Sequence, residues 1–428
     1  MAEGDSEPKS TTSIKVVFIF FGVASLLGWN ALLTELDFFD HFLPGMDPQV
    51  TFPFYNYILN ILFQFLLLWK KDLFSLKFQL MVGVIGSIVF LIVIPGFTLI
   101  LEKDSTANHY VSGILVILMG FISALCQAGF FNLVAHFPLE MIVALSTGQG
   151  FSGISMNILQ YIALFSVTGN DDKAYNIRGW IFFIISAVVL GVCLALLLFY
   201  YNTDYFRFYL EPKPRDTPHS NLLDNEANNE NNEEKINNES ENLTNESVPP
   251  VTPFNEFKAL FKRLWDLDLL MLYIYILTFT LFPNASIKQN LFGLDPSFNA
   301  NTIITIYNVF DTIGRYLVSK IKPNKKLNMI MVLARSVLFF TLIFNDYSHY
   351  KLGWNVDTTS ILLFFNVAIL ACTNGITNTL TFGLAPEQVS DDLKGQAGTS
   401  LSFFLIFGIF LGSCIAILLQ KIMNLYDK

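Results

Sequence analysis

Residues 78–101 read FQLMVGVIGSIVFLIVIPGFTLIL, and no charged residue interrupts them. At a helical rise of ~1.5 Å per residue the stretch reaches about 36 Å, enough to cross the roughly 30 Å hydrocarbon layer of a bilayer. Lipid offers no partner to a backbone amide or carbonyl, so such a segment has to be a helix. Outward from it the pattern repeats. Candidate spans cover approximately 14–35, 51–69, 78–101, 110–134, 145–167, 178–201, 266–283, 300–319, 327–345, 358–384 and 396–420, so an all-α polytopic membrane protein of about eleven transmembrane helices is expected. The pattern is poorest over 135–150, where Pro138 and Glu140 interrupt it.

Composition points the same way. The chain is 53% hydrophobic with 43 Phe, and only 14% is charged, whereas soluble domains carry about a quarter charged residues. A soluble fold has nowhere to bury so many large apolar side chains. The net charge of −9 lies largely in one connecting segment. No basic patch or nucleic-acid motif is present. Cys126, Cys193, Cys372 and Cys414 all sit inside apolar blocks, which suits free thiols used as small packing residues and not a disulfide framework. The polar start, Met1 to Thr12, and a first apolar block long enough to span argue against a cleavable signal peptide.

Residues 202–265 change character, and Asn225 to Asn245 is almost wholly Asn, Glu and Ser. Such a run buries no core and is expected to be a disordered linker. It divides the chain into a tail (1–13), a six-helix unit (14–201), the linker (202–265) and a five-helix unit (266–428). With the N-terminus inside, the inner segments hold most of the 26 Lys and Arg residues, among them Lys70, Lys71, Lys77, Lys258, Lys262, Arg263, Lys325 and Lys326. That asymmetry predicts a cytoplasmic N-terminus, and an odd span count puts the C-terminus outside. The linker sequons at Asn238, Asn242 and Asn245 then stay unglycosylated, leaving Asn284-Ala285-Ser286 as the outer one. Trp69, Trp180, Trp265 and Trp354 fall at or near span ends, where interfacial anchoring suffices. Trp29 is different, lying inside the first span beside Asn30.

Ionisable groups inside a membrane are costly and face a cavity or a partner. In the eighth span Asn301, Thr305, Asn308, Asp311, Arg315 and Ser319 recur every three or four residues, which makes one polar face. Asp311 and Arg315, four apart, can pair directly. A buried pair that only fixes packing is one reading; a polar path is the other, and the length of the polar face favours it. Gln127, in Ala124-Leu125-Cys126-Gln127-Ala128-Gly129, can bond a neighbouring helix or a ligand. Gly148-Gln149-Gly150 and Ser152-Gly153 suit close helix packing; with no lysine and no preceding strand they are not a phosphate loop. Asn366, Asn374, Asn378 and Thr381 on the tenth span line a path or join helices. Arg335 is expected to snorkel to headgroups or pair with a loop acid. The five histidines lie in or next to loops, without metal-ligand spacing, and are expected to be solvated. No nucleophile has a base partner. The chain is therefore read as no enzyme, with no cofactor and no metal.

Taken in order, these residues resemble the equilibrative nucleoside transporter family. Gly28-Trp29-Asn30-Ala31-Leu32-Leu33-Thr34 is similar to that family's Trp-Asn segment, with Gly28 where a proline often stands. Gln127 followed by Gly148 to Gly153 is similar to its fourth and fifth helices, and Phe282-Pro283 to the end of its seventh. Asn308-Val309-Phe310-Asp311-Thr312-Ile313-Gly314-Arg315 resembles its most specific signature, and Ala334-Arg335, Thr373-Asn374-Gly375, Gly383 to Pro386 and the last span continue the likeness. The resemblance implies two helical bundles of the major-facilitator (MFS) kind, six helices plus five, with a nucleoside site between them working by alternating access. It implies that Trp29 packs on the ligand, Gln127 bonds the base, and Asp311 with Arg315 holds the ribose. Asn30, Leu33, Pro283 and Asn308 fall near an outer gate, with Ile409 a hydrophobic lining position. Asn374 and Arg335 are read as gate or structural residues. The expected partners are a nucleoside and the bilayer, in the plasma membrane, with no nucleic acid and no obligatory protein partner. A carrier of another polar solute, a proton-coupled symporter, and a non-transporting receptor or scaffold are the alternatives.

Overall fold

The computed structural model describes residues 11–103, 105–167, 169, 171–211, 253–287, 289, 291–294, 296–350 and 352–426. Among them there is no strand, and a helix lies over each predicted span. α1 is Thr12–Thr34, α2 Pro48–Trp69, α3 Leu76–Ile100, α4 Thr106–Ala135, α5 Leu139–Ser166 and α6 Asp172–Tyr200. α7 is Pro253–Leu281 and α8 Pro296–Leu317; α9 comes in two pieces, Lys325–Ala334 and Val337–Tyr350; α10 is Val356–Leu384 and α11 Lys394–Tyr426. Side-chain caps start several of them. Thr11, Ser75, Ser105 and Asn324 each accept a bond from the amide three residues on, satisfying donors that a helix start otherwise leaves open.

Among the described residues nine helices are long and apolar enough to cross a bilayer. α5 and α8 are not in that group, because they carry much of the molecule's interior polarity: Ser146, Thr147, Gln149, Ser152 and Asn157 on α5, Asp311, Thr312 and Arg315 on α8, all buried. The weak pattern near 135–150 is a helix boundary. α4 ends at Ala135, Pro138 occupies the N-cap position, and α5 begins at Leu139.

Both ends of the expected linker, 202–265, contain ordered helix. Asp204–Leu210 forms a short helix, and the segment from Pro253 is the beginning of α7. The cause is aromatic burial. Phe206 is fully buried, its ring stacked on Phe18 at 5.6 Å and tilted against Phe137 at 5.0 Å. The Asn225–Asn245 run and its sequons lie outside the described residues, as do most of the tail and the side chain of Asn284.

The helices pack as two bundles. α1 lies on α5 and α6, and α4 on α2 and α3; in the second bundle α7 lies on α11 and α8 on α10. The bundles meet where α5 touches α8 and where α11 touches α4 and α2. Glycine sets the closest approaches, since lipid tails give no hydrophobic drive between helices and small residues let backbones touch. A Cβ on Gly22 of α1 would stand 2.8 Å from the Cα of Gly148, and one on Gly150 3.0 Å from the Cα of Thr312 on α8. α5 is therefore clamped between α1 and α8.

Candidate functional site

The polar face of α8 turns into the bundle interface. Arg315 Nε donates to Asp311 Oδ2 at 2.6 Å, with both side chains 7% exposed. The guanidinium also crosses to the other bundle, where Nη1 donates to Gln149 Oε1 (3.0 Å) and to the Ser146 carbonyl (3.3 Å) of α5. Gln149 in turn donates through Nε2 to Ser25 Oγ of α1 (3.1 Å). Asp311 Oδ1 accepts from Asn374 Nδ2 of α10 at 2.8 Å. One ion pair thus ties together α8, α10, α5 and α1. A guanidinium and a carboxylate that satisfy each other and still retain unused donors and lone pairs are suited to hydroxyl groups of a ligand.

Toward the C-terminal end of α1 the same interface continues. Asn30 Nδ2 donates to Ser152 Oγ (3.1 Å), and the neighbouring Gly153 lets the Asn308 side chain of α8 come within 2.8 Å of where its Cβ would be. Asn157 donates to Thr305 at 2.9 Å, joining α5 to α8 again. Trp29, Asn30, Leu33, Asn308 and Pro283 are all partly exposed. Trp29 lies 6.3 Å from the Tyr57 ring of α2, which lies 6.3 Å from Phe410 on α11, beside the buried Ile409. Gln127 is buried on α4, and among the described residues no hydrogen bond joins it to the Asp311–Arg315 pair. Pro283 follows Phe282, whose ring stacks 4.0 Å from Tyr307.

The other ends of the helices are shut. Phe131 of α4 and Phe382 of α10 stack face to face at 3.8 Å. Gly395 of α11 leaves room for the His136 ring (2.7 Å from its would-be Cβ), and Asn132 bonds Thr399 at 3.5 Å. Burial, with Lys394 nearby, holds the His136 imidazole below its usual range, since both disfavour a charged ring.

Two expectations need correcting. Arg335 does not snorkel. It is 2% exposed and turns inward, its Nη2 donating to Thr278 Oγ1 (2.6 Å) and Asn374 Oδ1 (3.3 Å), because the break in α9 aims it between α7 and α10. A second deep carboxylate, Asp268 of α7, is fully buried and accepts from Ser400 of α11 at 3.0 Å. The histidines are not all simply solvated. His41 stacks on Tyr175 at 4.1 Å and bonds Asp172 at 2.6 Å, and Lys103 donates to the same carboxylate at 3.0 Å.

Reading the sequence missed Gln149, taken there only for packing, and the buried ladder Asn56, Asn60 and Gln64, which ends on Ser402 of α11 at 2.8 Å. Their four-residue spacing on an apolar span was the available signal. Among the described residues no cluster of His, Cys, Asp and Glu could hold a metal.

The family model described as nucleoside transporter matches residues 112–421. The chain belongs to the equilibrative nucleoside transporter family. Equilibrative nucleoside transporter 1 of Rattus norvegicus is 23% identical, the match covering 96% of this chain and 97% of that protein. Equilibrative nucleoside transporter 2 of Mus musculus is 23% identical over 99% of this chain and all of its own length. Equilibrative nucleotide transporter 1 of Arabidopsis thaliana is 24% identical over 97% of this chain and 88% of that one. In fold the chain is similar to a variant of the E. coli fucose:proton symporter, with a TM-score of 0.57 at 16% identity over 97% and 92% of the two chains. It is also similar to the MFS proton:xylose symporter XylE, with a TM-score of 0.61 at 13% identity over 96% and 89%. This member of the family is a multi-pass membrane transporter for nucleosides, with an MFS fold and no enzymatic role.

Proposed function

We propose that the chain carries nucleosides by alternating access and facilitated diffusion, with the substrate held where α8 faces α5. The observation that carries this is the bond from Arg315 to Gln149, a buried polar contact between the bundles that runs from the last turn of α8 to the first half of α5. Rocking of one bundle against the other must break or remake it, so a ligand that replaces Gln149 on the guanidinium couples its own binding to the motion. Asp311 and Arg315 hold the ribose. Trp29 offers an aromatic face to the base, Gln127 an amide, and Ile409 an apolar wall, while Asn30, Leu33, Pro283 and Asn308 form the outer gate. The Phe131–Phe382 stack then closes the cytoplasmic side of an outward-facing state. α5 and α8 complete eleven crossings, because their polar residues face protein and not lipid. The N-terminus is cytoplasmic, the C-terminus extracellular, and the plasma membrane is the site of action.

Uptake of radiolabelled adenosine, uridine and hypoxanthine by purified protein in proteoliposomes tests this reading. Nucleosides should enter saturably and compete with one another, and sugars should not. Competition by sugars alone, or no flux, overturns it. An imposed pH gradient should drive no accumulation. Asp311 is paired with Arg315, a permanent cation, and Asp268 accepts a bond from Ser400 within its own bundle. Gradient-driven accumulation of nucleoside above equilibrium contradicts facilitated diffusion.

Removing residues 225–245 should leave flux intact, since the run carries too few apolar residues to belong to a core. An epitope placed there should be reached only from the cytosol and a C-terminal tag only from outside. Labelling of both from one side refutes the odd span count.

A further inference from the structure

α9 is interrupted at Arg335. The turn is held by bonds from Ser336 N to the Leu333 carbonyl (3.1 Å) and from Leu338 N to the Arg335 carbonyl (2.9 Å), and Ser336 Oγ meets Tyr273 Oη of α7 at 2.6 Å. Three-residue bonds of this kind tighten a helix locally and redirect its side chains. Here they send a guanidinium into the space between α7 and α10. Its Nε and Nη1 are buried and have no hydrogen-bond partner among the described residues. A group that only filled space would be cheaper as an apolar side chain, since buried donors left unbonded are costly.

The contacts that Arg335 does make converge on one amide. Asn374 Oδ1 accepts from Arg335 Nη2 (3.3 Å) and from Thr278 Oγ1 (2.9 Å), while Asn374 Nδ2 donates to Asp311 Oδ1 (2.8 Å). The two ends of an amide are not interchangeable, since the nitrogen only donates and the oxygen only accepts. Turned over, Asn374 would set its oxygen against a carboxylate and its NH2 against a guanidinium. Thr278 cannot enforce the orientation alone. Its single hydroxyl proton is contested by the Ile274 carbonyl at 2.7 Å, and Arg335 donates to its oxygen at 2.6 Å. Arg335 is the donor that is always charged and always has a proton to give.

Asp311 is therefore held from both sides. One oxygen is bonded by Arg315, and the other by an amide that Arg335 orients. That fixes the carboxylate plane and the lone pairs left over for a ligand. We infer that Arg335 is a positioning and selectivity residue: by locking the Asn374 amide it aims Asp311 and sets how strictly the site demands ribose hydroxyls. The inference rests on the reading that Asp311 and Arg315 meet the ribose.

The test is proteoliposome uptake of uridine and 2′,3′-dideoxyuridine by full-length protein, wild type against Arg335→Gln, Arg335→Lys, Asn374→Ala, Thr278→Val and the Arg335→Gln/Asn374→Ala double variant. Wild type should prefer uridine. Arg335→Gln should raise the uridine KM about tenfold, the order of one buried hydrogen bond left unmade, and leave the dideoxyuridine KM within about twofold. Arg335→Lys should recover part of the preference. Asn374→Ala should match Arg335→Gln, and the double variant should be no worse than either, because both act on one carboxylate. Thr278→Val, which keeps the guanidinium, should reduce the preference less and serves if Arg335→Gln does not fold. The inference is overturned if Arg335→Gln lowers the maximal rate for both substrates alike with their KM ratio unchanged, if the double variant loses the product of the single effects, or if Thr278→Val leaves the preference untouched while Arg335→Gln is unstable. A wild type that takes both substrates equally defeats the ribose reading itself; a discriminating wild type with an equally discriminating Arg335→Gln defeats the inference alone.

Discussion

Arg315→Ala and Asp311→Ala should each cut nucleoside uptake by about a hundredfold or more at wild-type surface levels. Each substitution strands the opposite charge where the pair is 7% exposed, and removing one partner of a buried pair costs about 3–5 kcal/mol. At ~1.4 kcal/mol per factor of ten that exceeds two orders of magnitude. Arg315→Lys should be severely impaired as well. Nε serves Asp311 while Nη1 serves Gln149 and the Ser146 carbonyl across the bundle interface, and an ammonium, a point charge at the end of a flexible stem, does not reproduce that fork. Gln127→Ala should instead shift base preference and leave ribose discrimination in place. Wild-type uptake by Arg315→Lys at matched surface expression refutes the assignment.

Gly375→Val should be as damaging, without touching any ligand group. Gly375 of α10 lies against the backbone of α8, where an added Cβ would stand 2.7 Å from Arg315 N and 3.0 Å from the Asp311 carbonyl carbon. Neither neighbour is a flexible side chain, so the helices have to part. Overpacking costs about 1–3 kcal/mol, and parting α8 from α10 also breaks the Asn374–Asp311 bond. Gly314→Val meets the Cys372 backbone in the same seam, 2.9 Å from its carbonyl carbon. Gly191 of α6 has nothing within 4 Å, so Gly191→Ala should behave as wild type. Thermal melting of detergent-purified protein and uptake should fall together for Gly375 and Gly314 variants. A Gly375→Val protein with wild-type melting and flux would mean that the seam is looser than described.

Much of the site lay open in the sequence because helical spacing is a local property. The four-residue step from Asp311 to Arg315 guarantees that they can meet, and they do. The glycines around Gln149 announce close packing without saying against what. The fate of Arg335 could not be read, because its direction depends on a break in α9 that no proline or glycine marks. Asp268 was passed over for a similar reason. Two residues from Asp266, it looks like part of a charged helix end, and only the position of Ser400 on α11 shows that it is enclosed.

By itself the sequence determined that this chain is a helical membrane protein, where its helices run, and which face of α8 is polar. Length, hydropathy and a period of 3.6 residues belong to each segment and need no neighbour. Tertiary structure alone decided that Arg315 reaches Gln149, that Asn374 stands between Asp311 and Arg335, and that Phe131 meets Phe382. These contacts join residues tens to hundreds of positions apart. A polar side chain in an apolar helix signals that it needs a partner, but which partner it finds depends on how the helices pack, and here glycine seams bring α5 against α1 and α8, and α10 against α8.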